Sequence, residues 1–337
     1  MTDKITDRDA LVRFLERLLA IPGMTVYAPV AEGDGAAFDG ISSASEALLD
    51  FPGAVRSPRH ILTPMTEKLL SMGPDGRVEE AIPTPGPAVL FGVRPCDARA
   101  IAFLDRVYAG GDRTDPYYRA RRDALTIVSL GCREPRPTCF CTTTGGGPLS
   151  PEGSDILLEP SGKGWSVRAV SEKGRALADA TGIAVESDGG NPDAGSIGAE
   201  MTPRVDIAVL KKVLDESFDD PRWQTLTAKC LGCGACSFIC PSCHCFDIVD
   251  GEEDGVTVRS RIWDTCQFKA FTKQASGHDP RPTGADRFRH RMMHKFSYCI
   301  DSYGMPGCVG CGRCVEACPV NLDIRRLMEA FGGDGLE

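Results

Sequence analysis

A chain of 337 residues with 42% apolar side chains can bury two cores at roughly 100–200 residues per domain, and its formal charge of −9 argues against a nucleic-acid partner, which needs a basic face. No apolar run approaches the roughly 18 residues of a membrane span, and the start Met1-Thr2-Asp3-Lys4-Ile5-Thr6-Asp7 lacks an apolar signal core, so a cytoplasmic chain without direct membrane insertion is expected. Disulfides are rare in that compartment, so the 16 cysteines read as metal ligands or redox groups.

Residues 7–20 are predicted to form an amphipathic helix. Leu11, Phe14, Leu15, Leu18 and Leu19 repeat at helical spacing, with Thr6 as N-cap and Asp9 three residues on. Residues 32–46, rich in Gly, Ala, Ser and Asp, are predicted to be a loop. The apolar runs 88–93 and 125–130 read as buried strands, with a helix over 97–108 between them. Residues 131–148, rich in Pro and Gly, exclude a helix, and 155–159 with 165–170 suggest a hairpin turning near Gly162-Lys163-Gly164. A stretch rich in Gly, Asp, Ser and Pro (186–203) marks a boundary, with the linker proper at 191–203. Beyond it, Ile207, Leu210, Val213 and Leu214 indicate a helix, and strand-like runs are few.

One internal repeat carries the chemistry. Cys230-x2-Cys233-x2-Cys236-x3-Cys240-Pro241 recurs as Cys308-x2-Cys311-x2-Cys314-x3-Cys318-Pro319, the run of two-cluster ferredoxins. Three thiolates on one tight turn reach three corners of a cubane, and the fourth points away to the other cluster. Cluster I is therefore assigned to Cys230, Cys233, Cys236 and Cys318, and cluster II to Cys308, Cys311, Cys314 and Cys240. Gly232, Gly234, Gly310 and Gly312 are expected to let backbone amides approach the sulfurs. Zinc sites pair CxxC units or CxxC with His, and do not repeat a four-Cys run ending in Cys-Pro. The gap from Cys240 to Cys308 reads as largely helical. The predicted architecture is an α/β or α+β domain over 1–190 followed, over 204–337, by an alpha-helical ferredoxin domain with two [4Fe–4S] clusters.

A third site is suggested in the N-terminal part. Cys96 follows the first buried strand; Cys132, Cys139 and Cys141 follow the second. If those strands are parallel neighbours, both loops open at their C-terminal ends, where α/β sheets place ligands. Asp97 is expected to cap the following helix, whose positive end would face the site, with Arg94 and Arg99 adding charge. Four thiols suit a cubane; a C-x-C with two distant Cys suits zinc equally, and buried free thiols are common in cores. Of the remaining thiols, Cys243, Cys245, Cys266 and Cys299, packing near a cluster is the favoured reading, with thiol–disulfide chemistry or a fourth metal site as alternatives. Residues 287–296 read as a basic helix, with His290 and His294 one turn apart, a spacing that can bind metal but more often marks a solvated or salt-bridged face. Gly145-Gly146-Gly147 reads as a flexible turn.

With these residues laid out, the chain resembles the family of sulfhydrogenase beta subunits and anaerobic sulfite reductase A subunits. The resemblance rests on Gly-Val-Arg-Pro-Cys-Asp (92–97), Cys-Phe-Cys-Thr (139–142) with Gly-Gly-Gly-Pro (145–148), Cys-Pro-Ser-Cys-His-Cys-Phe-Asp (240–247), Trp263-Asp264-Thr265-Cys266, the segment 276–282, His294-Lys295-Phe296 and the last ferredoxin run. It implies an electron-transfer subunit placed between a flavin subunit that handles NAD(P)H and a catalytic redox subunit of hydrogenase or sulfite-reductase type. It also implies a third [4Fe–4S] cluster on Cys96, Cys132, Cys139 and Cys141. No G-x-G-x-x-G follows a strand, so no dinucleotide is expected on this chain itself. Two other readings stand beside the relay: a thiol–disulfide or sulfur-compound reductase using Cys243, Cys245 or Cys266, and a structural subunit whose clusters are redox-silent.

Overall fold

The computed structural model describes residues 3–186, 197 and 200–333; most of the predicted linker lies outside them. The chain opens with α1 (Arg8–Leu19), buried along Leu11, Phe14, Leu15 and Leu18 as the periodicity requires. Its cap is Asp7, not Thr6: the carboxylate accepts the Ala10 amide at 2.9 Å. Next comes β1 (Thr25–Glu32). The predicted loop over 32–46 instead contains β2 (Gly35–Ile41) and a 3-10 turn at Ala44–Glu46. Small residues disguise this strand, but Ala36, Ala37, Phe38 and Ile41 are buried, and β2 pairs antiparallel with β1.

After α2 (Arg59–Leu62), β3 (Thr66–Met72) and β4 (Val78–Glu80) come the predicted buried strand β5 (Ala88–Val93), α3 (Pro95–Tyr108), α4 (Pro116–Ala124) and β6 (Leu125–Leu130). The hairpin is β7 (Ile156–Ser161) with β8 (Gly164–Ala169), followed by α5 (Glu172–Thr181). The first sheet runs β2-β1-β5-β6-β7-β8, with β1, β5, β6 and β7 parallel and antiparallel strands at both edges. All six residues of β5 are buried, as a strand covered on both faces demands. Leu11, Phe14 and Leu177 cover one face; Ile101, Phe103 and Leu104 cover the other. The N-terminal part is thus a mixed α/β layer structure.

The C-terminal part holds α6 (Ile207–Glu216), α7 (Arg222–Thr227) and α8 (Ala235–Phe238), then β9 (Phe246–Glu253) and β10 (Val256–Trp263). It continues with α9 (Gly284–Met293), a π-helical turn His294–Tyr298, α10 (Cys299–Tyr303), α11 (Arg313–Glu316) and α12 (Ile324–Gly332). The expectation of an all-helical ferredoxin part is corrected here. The stretch between the two Cys runs contains the β9–β10 hairpin, and β10 pairs with β3 in a second sheet ordered β4-β3-β10-β9. Charges hid it from sequence reading. Arg261 on β10 points inward and pairs with Glu67 of β3, whose other oxygen meets Arg121 of α4. The helices pack around Leu210, Leu214, Phe288, Met292 and Phe296, with Trp223 stacked on Phe331 at 4.2 Å. Among the described residues, no helix is long and apolar enough to cross a membrane.

Candidate metal centres

The two Cys runs share one local geometry. Gly232 and Gly234 have φ of +66° and +77°, and Gly310 and Gly312 repeat this at +64° and +75°. A Cβ is strained in that left-handed region, so glycine at these spacings folds three thiols onto one turn. Each turn leads into a short helix, α8 or α11. In the first run, Cys230, Cys233 and Cys236 line a pocket that Cys318 of the second run also reaches, with Phe288 and Ile324 as apolar wall. In the second run, Cys308, Cys311 and Cys314 lie close enough to Cys240 for its charge to act on all three. Burial pushes Cys311 up to about 11. Cys318 thus lies at the pocket of the first run, and Cys240 lies beside the thiols of the second.

Positive charge is buried beside these thiols. Lys295 Nζ donates to the Gly307 carbonyl at 2.7 Å and lies 3.4 Å from Cys240 Sγ. Arg291 donates to the Cys236 carbonyl at 2.9 Å and approaches Cys243 Sγ at 3.7 Å. Burial works against both charges, yet Cys240 and Cys243 raise Lys295, and Cys236, Cys243, Cys314 and Cys240 raise Arg291. Among the described residues neither side chain meets a carboxylate. The basic helix expected over 287–296 is present as α9 and the π-helical turn, but its cations Arg291 and Lys295 are buried, 2% and 4% exposed. An uncompensated buried charge costs several kcal/mol, so the site favours an anionic occupant. A cubane with four thiolates is anionic, and the cavity, the left-handed glycines and these cations all fit it.

The N-terminal thiols also converge. β5 and β6 are parallel neighbours, and Cys96 and Cys132 follow their C-terminal ends. Cys139 lies near enough to raise Cys132 and Cys141, and Cys132 to raise Cys141; burial, the larger effect, lifts Cys132 to about 11 and Cys141 to about 12. Cys96, raised first by burial, is close to Cys132 and to Cys311 of the second run. Two details correct the expectation. Asp97 does not cap α3, whose N-cap is Arg94 without a side-chain bond. It forms a bidentate pair with Arg313 at 2.6 and 2.9 Å, both side chains being almost fully buried. Arg99 is neutralised by Glu152 at 2.7 Å and adds little field.

The second run docks directly on this loop. The Phe140 amide donates to the Gly310 carbonyl at 2.8 Å, and Arg136 donates to the Cys311 carbonyl at 2.9 Å and to Glu316 at 2.6 Å. A Cβ on Gly310 would strike the Phe140 backbone, so this glycine serves the approach as well as the turn. Sequence reading missed Arg313 and Arg59 as buried partners of the thiol region. A charged residue inside a Cys turn, as Arg313 is, was the available signal. Among the described residues, no three Cys, His, Asp or Glu side chains converge as the ligands of a single ion would.

Two comparisons with known proteins bear on these sites. The 4Fe-4S dicluster domain family matches residues 229–322. The chain is similar to sulfhydrogenase 2 subunit beta of Pyrococcus furiosus, 32% identical over 311 residues that cover 90% of this chain and 91% of that protein.

Proposed function

This chain belongs to the sulfhydrogenase beta-subunit family, and from that premise we propose that it relays electrons between a flavin- or NAD(P)-binding subunit and a catalytic redox subunit of one complex. The dicluster domain carries two [4Fe–4S] clusters, whose chemistry is one-electron storage at potentials set by their surroundings. Cys230, Cys233, Cys236 and Cys318 hold one; Cys308, Cys311, Cys314 and Cys240 hold the other. Cys96, Cys132, Cys139 and Cys141 hold a third [4Fe–4S] cluster.

The observation that carries this reading is the seating of the second run on the 139–141 loop. It brings Cys96 close to Cys311, and Cys314 of that same run shares a pocket with Cys233, which is exposed. Leu231 beside it is 67% exposed, and Phe268 packs over Gly234 while 39% exposed. Lys229 and Lys269 flank this apolar patch and are exposed on a chain of net charge −9. An apolar centre with a basic rim suits an acidic redox partner, whose approach it would steer. Arg291, between the two runs, offsets negative charge on both sides.

The test is a Cys132→Ser, Cys139→Ser double variant of the full chain. It is expected to lose about four irons and about four sulfides relative to the parent. It should also slow electron delivery to an exposed acceptor when reductant enters at the N-terminal end. Unchanged iron with the loss of one zinc would remove the third cluster. Flavin bound to the isolated chain would count against the relay.

A further inference from the structure

Beside the twin-motif sites lies a second, narrow thiol-lined pocket. Cys243, Cys245, Cys266 and His294 line it. We propose that these four residues hold a further iron–sulfur cluster, separate from the three of the relay reading.

Three thiols arrive here from two distant segments. Cys243 and Cys245 leave the first run just after Cys240-Pro241, and Cys266 follows β10. The β9–β10 hairpin between them brings its two ends together, with Phe246 opposite Trp263. Cys245 and Cys266 lie side by side, and Cys266 accepts from Gln267 Nε2 at 3.4 Å. His294 opens the π-helical turn, and such turns recur at functional sites. Its ring packs between His244 and His290 at 5.4 and 5.6 Å, and among the described residues its nitrogens make no hydrogen bond. His244 is otherwise engaged: Nδ1 lies 3.1 Å from the Ser242 carbonyl, and the ring packs on Phe103. Cys299 reaches the same cavity, but its Sγ lies against the Gly307 backbone.

The charges around the cavity point to an anionic occupant. Arg291 and Lys295 line it, and Arg59 stands behind Cys243 with Nη1 donating to that residue's carbonyl. Arg59 is 3% exposed, stacked over Trp263 at 3.4 Å, and its Nε has no partner. Arg291 and Lys295 also face the twin-motif thiols, whereas Arg59 feels Cys243 of this pocket first and, among the described residues, meets no carboxylate. Three thiolates and a neutral imidazole around a cubane place negative charge beside it. A single zinc ion would draw its ligands onto one point, and among the described residues no three Cys, His, Asp or Glu side chains converge in that way.

The experiment compares the full chain, isolated without oxygen, with Cys245→Ser, Cys266→Ser and with His294→Ala and His294→Cys. The double Ser variant is expected to lose about four irons and about four sulfides while the paramagnetic signals of the twin-motif clusters persist. The reduced parent should show strong 14N coupling to one cluster in pulsed paramagnetic resonance. That coupling should vanish in both His294 variants, with iron retained in His294→Cys. Loss of one zinc in place of iron, unchanged metal content, or a Cys245–Cys266 disulfide in the parent would each overturn the proposal. If the double variant does not fold, the parent's 14N coupling decides: without it the proposal fails. These readouts are independent of Cys132 and Cys139, so the relay reading and this site stand or fall separately.

Discussion

The two Cys runs have the same spacing and the same left-handed glycines, yet they occupy opposite environments. In the first run Cys233 is exposed and Leu231 projects into solvent; in the second, Cys308 and Cys311 are buried and Val309, the counterpart of Leu231, is 2% exposed. The local turn is thus decided by sequence, while its role is decided by what packs on it. Phe140, Arg136 and Asp97 cover the second run, and nothing in the described structure covers the first to that degree. The difference separates an internal junction from a surface contact built on one motif.

Substitution at equivalent positions gives the largest expected contrast. Cys311→Ser and Cys233→Ser should each lose about four irons per chain, but only Cys311→Ser should also collapse thermal stability. Cys311 sits inside the interface between the two halves, its carbonyl bonded to Arg136. Equal thermal unfolding of the two variants would erase the distinction.

Next in size is the pair that fastens the buried run. Asp97→Asn leaves Arg313 buried without a counter-charge and should cost about 3–5 kcal/mol in denaturant unfolding. The partly exposed Arg136–Glu316 pair should cost about 1 kcal/mol or less when Glu316 becomes Gln. If the two variants unfold alike, the interface is not held by that buried pair.

Iron release sharpens the comparison further. Under a chelator in air, the cluster at Cys233 should be lost before the one at Cys311, giving a two-phase decay in visible absorption. A single phase would mean that burial does not protect the second run. The smallest effect is expected at the rim of the exposed run. Lys269→Glu should slow association with an acidic redox partner a few-fold, more at low salt, without changing unfolding.

Much of the site was legible before any fold was known. The twin motif named eight thiols, and the structure places Cys318 at the pocket of the first run and Cys240 beside the second. The parallel strands β5 and β6 announced themselves as continuous apolar runs, and they carry Cys96 and Cys132 to one edge. The failures share a cause. β2 is built from Gly and Ala, which carry little pattern. β10 alternates charges that look solvated but meet Glu67 and Asp250 across strands. Arg291 and Lys295 read as a wet helix face because sequence cannot show that thiols, not water, surround them.

By itself, then, the sequence determined the chemistry: soft ligands, spaced for cubanes, on turns that only glycine makes without strain. Which thiols stand at the surface, which cations lie buried beside them, and how the N-terminal loop meets the second run were decided by tertiary packing. Those properties depend on contacts between residues up to 259 positions apart, such as Arg313 with the Ala54 carbonyl, and no local pattern encodes them.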